Sequence, residues 1–550
     1  MGLINRYPEL SFITSVMEYE DKEVVWECAK KLGINISETA SVLYVYGVSP
    51  NIEPLLTWLE REVTRDIVFI EDDLARVAKL QEGSYGDLFI NERIHLKVIM
   101  DKEPLEAFAE NLVLEFPYEN ITFASLKGND PKYERLKVLL MRKSVKTAAC
   151  SAELLHYTTL FRNLRANFPL LSKASDVGQW KGAFSNIPAV ICGAGPSLAS
   201  AKTEIEKMQG HGLIFAGGSA ITALCSYHIV PDLLFAIDPN HEEFIRLALH
   251  TAFDAPLIYG NRLQPDVLQA ASGDLCYFVS GTGGAIENWF EEELGIEDPK
   301  ILSGLSDEAL SVTAVAIKCA LYFGCSPIIF AGIDLSFKNG ARYTPGVVSQ
   351  MQCVLEESAA RVSNTMMQVG DKTTMTKWLM ERDVIQDIIG KHPETTFIDG
   401  TGQGLLFDQI EIKTDWEPTQ YKVRDIKGML HDLSQTTKFS ISSKQIEKTI
   451  SQLIQSFDKC HEIITDLVIE LERLEKEDEI RQESAKEAVL EMDLSDEIAY
   501  QVALKGAAYA WGFYIKKMCQ KESPNRKALF IKKNLYKKLQ SLVEEYQHIC

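Results

Sequence analysis

Short runs of consecutive apolar residues punctuate the middle of this chain. Ala189–Cys192, Leu213–Ala216, Leu233–Ile237, Leu257–Tyr259, Cys276–Val279, Ile328–Ala331 and Thr396–Ile398 read as strands, several apolar throughout and so buried on both faces. Helical stretches separate them, among them Ser197 to Gln209 and a long apolar one from about Asp307 to Phe323. Strands alternating with helices predict an α/β fold with a doubly wound, mostly parallel, Rossmann-like central sheet. Weaker runs at Val42–Tyr46, Asp66–Ile70 and Ile121–Ala124 predict a smaller α/β unit before it. Its first turn, Gly47-Val48-Ser49-Pro50, lacks the glycines that let backbone approach a phosphate, so a degenerate accessory domain is expected. Helices are expected from Glu134 to Leu171, with Leu139, Leu140, Leu154, Leu155 and Leu160 in the core.

From Ser442 the apolar spacing changes to three, four or seven residues, through Ile446, Ile450, Leu453, Phe457, Ile464, Leu467, Leu471 and Leu474. Ser442 with Gln445 forms a capping-box signature, and Ser523-Pro524 marks a second helix start. Three helices are expected, near 443–480, 496–519 and 524–547, as a bundle packed on the central domain, a docking platform or an oligomerisation element. The expected division is therefore 1–135, an N-terminal α/β accessory domain; 136–184, a helical connector; 185–415, the central α/β domain; and 416–550, a C-terminal helical domain. Ending the chain near Gln435 should then leave a soluble central domain.

Composition narrows the function classes. Of 550 residues, 46% are hydrophobic and 25% charged, so core material is plentiful. A formal charge of −21 argues against a general nucleic-acid binder. No apolar run is long enough to span a bilayer, and Met1 to Glu18 lacks the layout of a signal peptide. The 11 cysteines form no CxxC pair, the closest being Cys319 and Cys325, which suits reduced thiols and a cytoplasmic protein.

The candidate chemistry sits in the loops that leave the strands' carboxyl ends, where open α/β sheets bind ligands. Gly193-Ala194-Gly195-Pro196-Ser197-Leu198 joins a strand to a helix, a setting in which backbone N–H groups and a helix N-terminus favour an anion. No Gly-Lys-Ser/Thr follows, so it is not a P-loop, and Leu198 stands where a dinucleotide fingerprint needs its third glycine. Ser219, Asp238, Asn240, Ser280, Thr282, Gly283 and Asp334 all follow expected strands and would face one crevice. Lys338, Arg342 and Tyr343 add positive charge and a phenol near that edge, and His241 reads as a solvated residue in a helix's first turn.

With these motifs in place the chain resembles the motility accessory factor (Maf) glycosyltransferases in its central domain. The resemblance rests on Ile191–Leu198, Pro231-Asp232 with Asp238, and Gly332-Ile333-Asp334-Leu335. The same landmarks are similar to one family of bacterial sialyltransferases. The resemblance implies transfer of a nonulosonic acid, of sialic, pseudaminic or legionaminic type, from a CMP-activated donor to a Ser/Thr hydroxyl of a flagellin-like protein. It implies nucleotide contacts from Gly193 to Leu198, Ser219 and Asp238, and a phosphate contact from Tyr343. The sialyltransferases' base histidine has no counterpart here; Asp371 or Lys372 stands in its place, so Asp371 is the expected proton acceptor, with Asp334 and His241 next. No metal or cofactor is required by this reading. The alternative resemblance, to archaeal 6-hydroxymethylpterin diphosphokinases, would bring in Mg²⁺ between ATP phosphates. A nucleotide-binding scaffold without activity is the third expectation.

Overall fold

A computed structural model describes residue 7 and residues 36–80, 85–100, 103–118, 120–128, 130–155, 157–247, 254–302, 311–347, 362–476, 484–518 and 524–549. The chain divides into two compact units, one mainly of residues up to Ser151, the other carrying nearly all the rest.

The first unit alternates β1 (Val42–Tyr46), α1 (Glu53–Glu60), β2 (Asp66–Glu71), α2 (Leu74–Leu80), β3 (Ile94–Val98), α3 (Leu105–Glu115) and β4 (Ile121–Ser125), followed by α4 (Pro131–Leu155). The strands form one parallel sheet in the order β3-β2-β1-β4. Leu43, Val45, Ile67 and Phe69 share its core with Leu55 and Leu59. β3 escapes a reading by apolar runs because His95 and Lys97 interrupt it. At the carboxyl ends, between β1 and β4, chain order reverses and a ligand would ordinarily sit. Lys127 fills that place: its ammonium pairs with Glu71 and Asp72, and Glu71 also accepts from Val48 N–H at 3.0 Å.

The second unit begins with α5 (Tyr157–Asn167) and β5 (Ser175–Asp176). There follow β6 (Ala189–Cys192), α6 (Leu198–Met208), β7 (Leu213–Gly217), α7 (Ser219–Ser226), β8 (Leu233–Ala236), α8 (His241–Leu247), β9 (Leu257–Tyr259), α9 (Pro265–Ala270), β10 (Leu275–Tyr277) and α10 (Gly284–Glu293). Next in chain order are α11 (Val312–Tyr322), β11 (Ile328–Ala331), a hairpin of β12 (Met366–Val369) and β13 (Lys372–Met375), α12 (Thr376–Lys391), β14 (Phe397–Asp399) and β15 (Glu411–Ile412), of which Met366, Met367 and Met375–Lys377 group with the first unit. The nine-stranded sheet runs β15-β14-β11-β6-β7-β8-β9-β10-β5 with every pairing parallel. Of the stretch expected as a helix from Asp307, residues 307–310 lie outside the described residues. The chain runs outward from β6 in one direction as far as β10, then returns to β11 on β6's other side, so β6/β11 is the topological switch point.

The tail comprises α13 (Ile426–Thr436), α14 (Ser443–Glu475), α15 (Ala485–Asp496), a π-helical turn at Tyr500–Leu504, α16 (Lys505–Met518) and α17 (Pro524–Ile549). α14 opens with the expected Ser442–Gln445 capping box. Ser523, expected to cap α17, and residues 477–480, expected to extend α14, lie outside the described residues. α15 was not expected; it starts at its own capping box, Ser484 with Glu487. The tail is also less separate than the expected boundary at 416 implies. Ile446, Ile450, Phe457, Leu467, Leu539 and Tyr546 belong to the same core as Val190, Ile214, Leu234 and Ile329 of the sheet. Phe161 of α5 packs edge-on against both Phe457 and Tyr546, with ring centroids 5.5 and 4.8 Å away. The sheet's other face packs on α11, α12 and α13 through Ile317, Ile385 and Leu430. Among the described residues no helix is long and apolar enough to cross a membrane.

Candidate functional site

The loops after β6, β7 and β11 close around one cavity at the switch point. Gly193, Ala194 and Gly195 line it from β6, Gly217, Gly218, Ser219 and Ala220 from β7, and Asp334, Leu335, Ser336, Arg342 and Tyr343 from β11. Asp238, Glu243, Thr313, Trp378 and Glu381 add further polar and aromatic lining.

The β6 and β11 loops lock together. Gly193 N–H donates to Ala331 O and Gly195 N–H to Gly332 O, each at 2.8 Å. A Cβ on Gly193 or Gly195 would stand 2.5 or 2.6 Å from Gly332 O, and one on Gly195 would also meet the Asp334 carboxylate at 2.8 Å. The glycines of this loop are thus required by packing against β11's loop, and those two N–H groups are already engaged. Ser197 is fully buried: its N–H donates to Asp334 at 2.7 Å and its hydroxyl to the same carboxylate. Leu198 is core. Pro196, Ser197 and Leu198, expected to touch the nucleotide, therefore do not line the cavity. α7 offers what the glycine-rich loop does not. Its N-cap is Gly218 (φ 50°), which has no side chain to bond the first turn, and a helix start left uncapped presents N–H donors.

Asp334 is 3% exposed. Burial pushes its carboxyl above the usual range, the two bonds from Ser197 oppose that, and the nearby charge of Asp399 adds to it. Leu335 next to it holds a left-handed φ of 50°, a conformation a leucine keeps only when its surroundings impose it. Thr374 Oγ1 donates to Leu335 O at 2.6 Å, and Leu405 N–H to Asp334 O at 2.8 Å. The carboxylate therefore sits on a rigid support.

Four expected site residues lie elsewhere. Asn240 is exposed at the start of α8. Ser280, Thr282 and Gly283 turn inward: Ser280 and Thr282 bond each other at 2.7 Å, and Gly283 N–H donates to the buried Glu287 at 2.9 Å. Their hydroxyls and N–H groups build the turn into α10. Asp371 corrects a further expectation. It occupies the turn between β12 and β13, its side chain is 85% exposed, and it pairs with Lys372 at 3.3 Å. It neither lines the cavity nor caps α12, which starts five residues later at Thr376. Lys338 bonds Gln403 at 2.6 Å and does not line the cavity, and His241 is solvated in the first turn of α8.

Glu243, Trp378 and Glu381 line the cavity without having been singled out from the sequence. Glu243 is only 2% exposed although it follows Glu242 in a polar stretch, and the one hint was its place a few residues after a strand end. Glu381 accepts from Ser311 Oγ, the N-cap of α11.

Comparisons with known proteins give three likenesses. Residues 162–340 match the family model described as "MptE-like: 6-hydroxymethylpterin diphosphokinase MptE-like". A curated protein of Treponema pallidum (strain Nichols), itself described as uncharacterized, is 22% identical over 148 residues, which are 26% of this chain and 37% of that protein's length. The structure of a Maf glycosyltransferase from Magnetospirillum magneticum AMB-1 is similar over 92% of this chain and 79% of that one, with 17% identity and a TM-score of 0.49.

Proposed function

We propose that this protein is a cytoplasmic glycosyltransferase. It moves a nonulosonic acid from a CMP-activated donor to a protein Ser/Thr hydroxyl, flagellin-like acceptors being the expected class. The observation that carries the reading is the cavity at the β6/β11 switch point, where Gly193–Gly195, the uncapped start of α7 and the Asp334–Tyr343 segment converge. The reaction is a single displacement. The acceptor oxygen bonds the anomeric carbon as the bond to the donor's phosphate oxygen breaks, so CMP departs and the configuration inverts. The hydroxyl proton goes to Asp334, whose burial makes it a stronger base than an exposed aspartate. The Tyr343 phenol and the α7 N–H groups donate to the departing phosphate.

Calorimetry with CMP in EDTA, followed by release of CMP from CMP-nonulosonates in the presence of acceptor protein, tests the reading. Asp334→Asn preserves an acceptor for Ser197 N–H and should slow transfer at least about 100-fold while donor binding persists. Absence of CMP binding by the wild-type protein would sink the assignment, and binding without turnover would leave a scaffold.

The family match over residues 162–340 favours a second reading, an Mg²⁺-dependent diphosphokinase of the 6-hydroxymethylpterin type. It ranks second because Asp232 and Asp238 stand at opposite ends of β8, and Asp232 is engaged by Ile214 N–H at 2.9 Å. ATP binding that requires Mg²⁺ would reverse the order.

A further inference from the structure

Arg342 is the only basic side chain among the described residues lining the cavity, in a chain with a formal charge of −21. Asp238, Glu243, Asp334 and Glu381 line the same space, yet no described residue accepts a hydrogen bond or forms an ion pair with its guanidinium. Its Nε is shielded from solvent and has no partner. A guanidinium carries five donors in a rigid fork, and leaving one buried and unmet is unfavourable unless a ligand supplies the acceptor.

The group is nevertheless held in place. Its Cζ lies 4.9 Å from the Tyr343 ring centroid and 5.5 Å from that of Trp378, and Phe337 packs on Trp378 at 5.0 Å. Stacking of this kind fixes the plane of the guanidinium without using its in-plane donors. The backbone is fixed on both sides. Ala341 bridges back to Lys338 across the Asn339-Gly340 turn, and Thr344 N–H donates to Ala194 O at 2.9 Å. That last bond lays the arginine's segment directly on the glycine-rich loop.

We infer that Arg342 is the cavity's oxyanion reader: a clamp prepared by Tyr343 and Trp378 that takes the donor's phosphate through its two-pronged edge. The assignment rests on the proposed use of a nucleotide-activated acidic sugar and makes the donor's negative charge the feature selected. The same fork would donate equally to the carboxylate of the transferred sugar, and ligand series separate the two.

The experiment titrates the full-length protein, wild type, Arg342→Lys and Arg342→Met, with cytidine, CMP, a CMP-nonulosonate and the free sugar acid. Charge-assisted, two-pronged pairing predicts that Arg342→Met loses at least about tenfold in CMP affinity and leaves cytidine affinity unchanged, with Arg342→Lys between. Loss confined to the step from CMP to CMP-nonulosonate would move the contact to the carboxylate. Equal ligand discrimination in all three proteins overturns the assignment, and a lowered melting temperature with unchanged discrimination would mark Arg342 as a packing residue. Should the wild type bind no cytidine nucleotide, the transferase reading fails separately. The clamp is then judged on pyrophosphate, where the same tenfold loss supports it and equal affinity overturns it.

Discussion

Gly195 shows how one missing side chain serves two loops. A Cβ there would meet Gly332 O and the Asp334 carboxylate, so Gly195→Ala should destabilise by about 1–3 kcal/mol, read from urea midpoints. Gly195→Asp would press two carboxylates together and destabilise more. Asp371 is the converse. Its exposure in the hairpin turn predicts that Asp371→Asn keeps turnover within about twofold, less than the 10²–10⁴-fold range of general-base effects. A titration also belongs at this scale. Burial, then the charge of Glu287, raises the Glu291 carboxyl to about 8, and Tyr277 donates to it. A carboxyl raised in the folded state contributes stability that is complete below its unfolded pKa. That contribution is lost as pH climbs to about 8. Glu291→Gln should therefore flatten the decline and raise the melting temperature at pH 8.5 by at least about 2 °C.

At the scale of elements, two kinds of strand differ in how plainly they announce themselves. β6, β9 and β11 fall on the apolar runs Ala189–Cys192, Leu257–Tyr259 and Ile328–Ala331 because helices cover both faces of a parallel sheet. β5 and β15, two residues each, carry no such run, and the β12–β13 hairpin is mostly polar. The glycine-rich turn was legible as a strand–helix junction, but its N–H groups are engaged by β11's loop. The free helix start belongs to α7, at Gly217-Gly218-Ser219, where the sequence singles out the Ser219 side chain and not the backbone. Within the tail, Phe457 is fully buried between Phe161 and Tyr546. Phe457→Ala should cost about 3–5 kcal/mol, measured by denaturant unfolding.

For the molecule as a whole, the shared core makes the sheet and tail of the second unit one folding unit. Ending the chain near Gln435 would strip α14 and α17 from Val190, Ile214 and Leu234. The fragment should aggregate or bind a dye for apolar surface, in contrast to the soluble domain that helical periodicity alone suggested. A soluble fragment with native secondary structure would show that the tail only decorates the sheet. The sequence by itself determined the α/β class, the strand-rich middle and the helical tail, since these follow from local period and from which residues tolerate burial. Only the tertiary structure decided which side chains share the cavity. Ser197 is engaged by Asp334, 137 residues away, and Thr344 is tied to Ala194. The direction a loop side chain takes depends on partners distant in the chain, and no local pattern records them.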